Sequence, residues 1–483
     1  MRSESRLPFH ELGIDVLLNI IAFLPSSDVF SLRKTCKIAH KASTQLSIWI
    51  SAAQRMMKDN CIPSFTFTLE SMDRPALERL VLSPSLFYQA IVHSDEEFAH
   101  PHSVQIPGYT ATFLAPGGRY LVTSSIAMMS SGGNGTLAQV WDLGIPKHRG
   151  SNKLLETWVL GQGDEFFPKL LVPTADGRGL SLISIESQST VHVHQVFPCS
   201  RHIPHIVFDL GDGAVVVSLS FSDNRLACLL ASWRIVVWDL KDDRYTSWRT
   251  YLGPEPIGSP TSFKLFGDAI AIGYRGKVFL WDFSWESNFA RDFQVSRIMS
   301  RYRPGAIHSH LLFDEDNDDF IESGFDDTKL TFLPNSAWSS FHGAPTRNFV
   351  GVFYPPRFGL YQLRTHKTPG LYPGTVTTDV SLGHLMMFEK LEIDQNPGKF
   401  SDIRPLDTDH GIFLEHHGES VLAHYIIDLG SDNYPGKIWM DPGLEREDYN
   451  VIHSEICPAT GRLCLHLDDN NLYIIDYLPH GNN

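Results

Sequence analysis

The chain has 483 residues, 42% hydrophobic and 20% charged, with no low-complexity run. That is the composition of a folded soluble protein of two or three domains. The net charge is −15, yet residues 1–60 hold eight Lys/Arg against five Asp/Glu, so the remainder carries −18. An acidic remainder argues against nucleic-acid and anionic-membrane binding. It is mildly compatible with a basic protein partner, although solubility alone is the simpler reading. No apolar stretch reaches the ~18 residues of a membrane helix. The start, Met1-Arg-Ser-Glu-Ser-Arg6, lacks the apolar core of a secretory signal. Six scattered cysteines (Cys36, Cys61, Cys199, Cys228, Cys457, Cys464) form no CxxC pair, so they make neither a zinc framework nor a disulfide scaffold. A reducing compartment, cytoplasmic or nuclear, is the simplest home.

In chain order, Ile14, Leu17, Leu18, Ile21 and Leu24 recur at spacings of three and four, which predicts one face of a helix. Pro25 ends it, because the residue before a proline is pushed out of the helical region. Ser26 or Ser27 then caps a second helix, with Asp28 at the positive end of its dipole. Val29, Leu32, Cys36, Ala39 and Ala42 make its apolar stripe, and Arg33, Lys34, Lys37 and Lys41 fall mostly outside. Two such helices bury little surface, so the module is expected to need a partner for its core.

Leu12, Leu17, Ile20, Leu24-Pro25, Asp28, Leu32, Cys36-Lys37 and Trp49 make this segment resemble the F-box, the helical module that plugs a protein into an SCF-type ubiquitin ligase. The continuation Ile48-Trp-Ile-Ser-Ala-Ala-Gln-Arg-Met56 resembles basidiomycete fungal F-box proteins. Leu7-Pro8 departs from the pattern by its distance from the first helix. The resemblance implies adaptor contacts at Leu12, Ile14, Leu17, Ile20, Leu24, Pro25, Val29, Leu32, Cys36 and Trp49. It also implies a cullin reached through the adaptor.

Residues 53–100 read as a helical linker. Asp73 caps a helix with Pro75 in its first turn. Ser83-Pro-Ser85 is expected to break that helix and start another through Tyr88 and Ile91.

From about residue 100 the pattern turns to short β-rich runs between turn signals, which predicts an all-β region. Val140-Trp-Asp-Leu143, Val237-Trp-Asp-Leu240 and Leu280-Trp-Asp-Phe283 share an ending, and Trp238 to Trp281 is 43 residues. Gly118-Arg-Tyr-Leu, Asn224-Arg-Leu-Ala, Asp268-Ala-Ile-Ala and Gly461-Arg-Leu-Cys open the partner strands upstream. A period near 40–45 with Trp-Asp endings resembles WD40 propeller blades, with Trp141, Asp142, Trp238, Asp239, Trp281 and Asp282 as structural positions. The Gly-His dipeptide of such repeats occurs once, at Gly383-His384, and 284–405 is irregular. Seven or eight degenerate blades fit.

Catalytic signatures are weak. There is no phosphate loop, HExxH or GxSxG. The acidic run Asp314–Asp319 lacks the glycine and final glutamate of a calcium loop. His192 and His194 share one face of a strand, and no carboxylate or cysteine completes a metal set with them or with His416-His417. Arg225, Arg234, Arg275, Arg301, Arg303 and Arg357 are candidates for a phosphate-reading cluster.

The expected architecture is thus α plus all-β: an F-box over 5–52, a helical linker over 53–100, and a WD40-like β-propeller over 101–480. The expected function is that of a non-catalytic substrate-recognition subunit of an SCF-type ubiquitin ligase, with an unknown substrate protein on the propeller. No cofactor, metal, nucleic acid or membrane partner is expected. The alternatives are an F-box scaffold outside ubiquitination, or a small-molecule or enzymatic site in the propeller channel.

Overall fold

The computed structural model describes residues 12–60, 62–92, 102–107, 111–128, 132–144, 152–162, 166–174, 176, 178–197, 205–211, 213–222, 224–250, 451–468 and 471–478, with the strands named below between 263 and 440. Five helices come first: α1 (Ile14–Phe23), α2 (Ser26–Arg33), α3 (Lys37–Ser43), α4 (Leu46–Asp59) and α5 (Arg74–Val92).

α1 follows the sequence expectation. Leu17 and Ile21 are buried, with Ile14, Leu18 and Leu24 packed beside them, and the helix ends in extended backbone at Leu24, before Pro25. Two expectations are corrected. The second helix is two helices, and the cap of the first is Pro25 rather than a serine. The break falls at Cys36, whose extended backbone leaves the helix while its Sγ accepts from Ala39 N at 3.4 Å. The other correction concerns the linker. Asp73 does cap α5, accepting from Ala76 N at 2.9 Å, but α5 runs unbroken through Pro84. Ser83 Oγ donates to Arg79 O at 2.8 Å near the lost backbone bond. Leu80, Val81 and Phe87 are buried on either side, and burial outweighs the proline's local preference.

Thirty strands follow: β1 (His102–Pro107), β2 (Ala111–Leu114), β3 (Tyr120–Met128), β4 (Asn134–Asp142), β5 (Lys153–Gln162), β6 (Phe166–Pro173), β7 (Leu180–Glu186), β8 (Thr190–Phe197), β9 (His205–Asp209), β10 (Val216–Ser222), β11 (Arg225–Leu230), β12 (Arg234–Asp239), β13 (Arg244–Arg249), β14 (Phe263–Phe266), β15 (Ala269–Tyr274), β16 (Lys277–Asp282), β17 (Asn288–Phe289), β18 (His308–Leu311), β19 (Leu330–Phe332), β20 (Phe349–Tyr354), β21 (Arg357–Pro369), β22 (Val376–Phe388), β23 (Lys399–Phe400), β24 (Arg404–Pro405), β25 (His410–His417), β26 (Val421–Asp428), β27 (Gly436–Met440), β28 (Val451–Cys457), β29 (Arg462–Leu467) and β30 (Asn471–Asp476). Among the described residues they form seven antiparallel sheets. Four take their strands from consecutive chain, β2–β5, β6–β9, β19–β22 and β23–β27, and two interleave at their last strand: β10–β13 with β17, and β14–β16 with β18. The seventh runs β28-β29-β30-β1, so its fourth strand comes from before the first sheet, with His102 opposite Asp476. The first strands of neighbouring sheets lie side by side in the order β28, β2, β6, β10, β14. Side chains bridge these neighbours: Glu455 Oε2 accepts from Leu114 N at 2.7 Å, and Ser220 Oγ from Leu265 N at 2.8 Å.

One core joins the helices to the sheets. Leu17, Ile21, Val29 and Trp49 share a cluster with Ile62, Phe67, Leu77 and Leu80 of the linker. The same cluster takes in Leu114, Leu121 and Leu143 of the first sheet and Ala459, Cys464 and Leu472 of the seventh. The expectation that a partner supplies this core is therefore corrected: α4, α5 and two sheets supply it. The approach is close. Gly117 sits at φ +91°, where a Cβ would meet Ile62 Cγ2 and Thr66 Cγ2 at 2.8 Å.

A polar knot fixes the helices within that core. Arg33 donates to both Glu78 oxygens at 2.7 and 3.2 Å, and to Ser43 Oγ and O at 3.1 and 3.0 Å. Its guanidinium lies over the Phe30 ring at 4.6 Å and the Trp49 ring at 5.4 Å. Trp49 Nε1 donates to Ser43 O at 2.8 Å. Arg33→Ala leaves Glu78 mostly buried without its bidentate partner, and should cost about 3 kcal/mol in urea unfolding; a loss near zero would contradict this reading. Trp49→Ala should cost about 3–5 kcal/mol by the same measurement.

Candidate functional site

α1 is apolar on both sides. Leu17 and Ile21 face the core, while Val16, Ile20 and Phe23, spaced i, i+4 and i+7, form a second stripe. Those three are 47%, 37% and 85% exposed. An 85% exposed phenylalanine on a solvent-facing stripe is a surface shaped for association rather than for solvent. Arg55 of α4 donates to Ala22 O and holds the end of the helix that carries the stripe.

The ten residues expected to contact an adaptor divide by burial. Ile20 and Pro25 are exposed. Leu12, Ile14, Leu24 and Leu32 are half-buried against the shared core, and Cys36 is half-buried as the α3 cap. Leu17, Val29 and Trp49 are inside the chain's own core, at 0%, 3% and 0% exposure. Sequence reasoning missed Val16 and Phe23, although their spacing with Ile20 was readable as a second stripe.

The Trp-Asp positions occupy two distinct settings. Trp238 and Trp281 are buried between sheets. Trp141, half-buried, donates from Nε1 to Thr123 Oγ1 at 3.0 Å, and Trp238 donates to Asp243 Oδ1 at 3.1 Å. Asp142 and Asp239, and Asp476 of the seventh sheet, end their strands facing an arginine at or just before the start of the neighbouring strand. Asp142 takes two bonds from Arg119 at 3.0 and 2.8 Å, and Asp239 faces Arg225 at 3.8 Å. Asp476 takes two from Arg462 at 2.6 and 2.8 Å. Asp282 ends β16 opposite Ala269. Arg119 also donates to Thr66 O of the linker at 2.9 Å. Arg462 donates to Gly118 O at 2.5 Å and Gly144 O at 3.1 Å of the first sheet. These two clasps therefore join the seventh sheet, the first sheet and the linker. Their signal was the arginine heading three of the four upstream partner strands.

Burial works to raise the Asp142 carboxyl pKa, but hydrogen bonds from Arg119 and Gly144 N outweigh it, and the group is held below its ordinary 3.8. Burial likewise works to lower the Arg462 pKa, and the Asp476 bond outweighs it, leaving it raised. Burial alone pushes the Cys228 thiol up to about 12, so it is not a ready nucleophile.

Arg225, half-buried, faces Asp239 at 3.8 Å. Arg234 and Arg249 stand opposite each other on β12 and β13, and Arg357 begins β21. Arg275, Arg301, Arg303 and the acidic run 314–319 lie outside the described residues. His192 and His194 stack at 5.8 Å between centroids and 8° between planes, and His192 Nε2 bonds Glu186 Oε2 at 2.8 Å. Among the described residues no three His, Cys, Asp or Glu are placed to hold a metal. No helix among them is long and apolar enough to cross a membrane.

The end of the sheets opposite the helices carries its own apolar surface. The loop from β2 to β3 packs on the linker, so the β3–β4 hairpin lies at the far end, where Ile126 and Met128 are exposed. Val159 of β5 and Ile452 of β28 are exposed at that end too. Thr136 Oγ1 donates to Phe166 O at 3.4 Å, which brings the start of β6 and the exposed Phe167 there as well.

Residues 9–51 match the family described as the F-box domain, so the chain carries an F-box domain at its N-terminus, followed by antiparallel β-sheets. No curated protein matches the chain. Among solved structures, a chain in "Crystal Structure of Mitotic Checkpoint Complex" is similar at 14% identity. The match covers 79% of this chain and 94% of that one with a TM-score of 0.44, too distant to bear on function.

Because the Asp142 pKa is depressed in the folded state, its clasp contributes stability above the ordinary carboxylate range and loses it as pH falls through the folded pKa. Asp142→Asn should therefore lower the melting temperature at neutral pH and narrow its gap to wild type below pH ~3.8. A gap that stays constant across that range would contradict the clasp.

Proposed function

We propose that this chain is a substrate-recognition subunit of an SCF-type ubiquitin ligase. The observation that carries the reading is the F-box match over 9–51 on helices whose outer stripe, Val16, Ile20 and Phe23, stands exposed. The stripe, with Pro25, docks on the adaptor subunit and through it on a cullin. Leu17, Val29 and Trp49 act from beneath by holding α1 in place.

The seven sheets are blades of one propeller in this reading. Its support is the four-stranded meander repeated through the chain, the side-by-side first strands, and β1 completing the seventh sheet. The substrate protein binds the end opposite the helices, where Met128 and Phe167 are exposed. Transfer chemistry belongs to other subunits. This chain contributes proximity by raising the effective concentration of substrate lysines near the charged ubiquitin carrier. Its compartment is the cytoplasm or nucleus, where such ligases work.

Co-expression with an adaptor subunit tests the reading. Wild type should co-purify. Ile20→Asp/Phe23→Asp should lose adaptor affinity by about 30-fold or more, on ~2 kcal/mol for a central contact, with an unchanged melting temperature. Leu17→Asp should instead unfold the chain. A folded wild type that does not bind, or a double variant that binds normally, would refute the docking face.

A further inference from the structure

The F-box segment contains a charged surface that its apolar stripe does not explain. No Asp or Glu occurs between Asp28 and Asp59, while Arg33, Lys34, Lys37, Lys41, Arg55 and Lys58 do. Arg33 is neutralised by Glu78 and turned inward. Lys34, Lys37, His40 and Lys41 are all exposed, grouped at the end of α2 and along the short α3. None of the three lysines has a carboxylate within 4.0 Å among the described residues. Arg33, Arg119, Arg225 and Arg462 each have one.

The arrangement is unfavourable for folding in two ways. Lys37 and Lys41 are like charges at i, i+4. Lys37 is the first residue of α3, at the positive end of the helix dipole, and the first turn holds no acid to offset it. Local features that oppose folding, and that find no compensating carboxylate among the described residues, are expected where a partner compensates them.

We propose that Lys34, Lys37, His40 and Lys41 form an electrostatic docking patch for an acidic protein surface on the adaptor. This rests on the adaptor-binding reading above and extends it to a second, polar contact. A protein is favoured over a polyanion because residues 61–483, at −18, repel nucleic acid and anionic lipid as whole bodies. A folded acidic partner can instead present its charge locally to the patch. Exposed lysines of this kind act on encounter more than on residence: they steer association and fix orientation.

The test compares full-length wild type with Lys34→Gln/Lys37→Gln/Lys41→Gln in adaptor association kinetics over a salt series. At low salt the variant should associate about tenfold more slowly or worse, with dissociation little changed. Its dependence on salt should flatten, and its melting temperature should be unchanged or raised, since repulsions are removed. Equal rates and equal salt slopes would overturn the patch while leaving the adaptor reading intact. No adaptor binding by wild type would overturn both. Tight wild-type binding to a short single-stranded DNA, lost in the variant while adaptor kinetics stay the same, would make the patch a polyanion site and overturn the proposal.

Discussion

The guanidinium of Arg33 is the point at which the helical layer becomes one object. It bonds both oxygens of Glu78 on α5, the hydroxyl and carbonyl of Ser43 at the end of α3, and lies over Phe30 and Trp49. Four helices meet at that group. Arginine suits the place because its planar fork satisfies several acceptors at once while its faces stack on rings. A lysine there would keep the charge and lose most of the geometry. With the knot closed, Trp49 is sealed, α1 rests on Leu17 and Ile21, and the outer stripe of α1 is held in position.

The same core continues into the sheets. Ile62, Phe67 and Leu77 lead from the helices to Leu114 and Leu121 of the first sheet and to Cys464 and Leu472 of the seventh. Arg119 and Arg462 then tie the linker loop, the first sheet and the seventh together through Thr66 O, Gly118 O and Gly144 O. An adaptor docked on α1 would therefore be held in a fixed orientation to the far end of the first and seventh sheets. In the proposed ligase, that orientation decides which substrate lysines come within reach, since proximity is all this chain would contribute.

The sequence made the inner face of α1 legible because apolar spacing and Pro25 agree there. It also showed the strands ending at Asp142, Asp239 and Asp282, because Trp-Asp repeats in a turn-bounded setting. The split at Cys36 was not legible: a thiol cap looks like one more apolar position in a helical stripe. The continuity of α5 was not legible either, because Pro84 argues locally for a break and only burial of its neighbours overrides it. The clasps of Arg119, Arg225 and Arg462 needed strand register, which sequence spacing does not fix. Val16 and Phe23 were visible as apolar residues, but the inner stripe explained enough of α1 that the outer one went unread.

The central claim is that the F-box helices and the sheets they rest on share one cooperative core. Native-state hydrogen exchange on the full chain tests it most directly. Slowly exchanging amides of α4, α5, β3 and β29 should open in a single step with a common free energy, and destabilising the chain at Arg33 should lower all four together. Helical amides opening at a lower free energy than the strands, with Arg33→Ala affecting the helices alone, would contradict it.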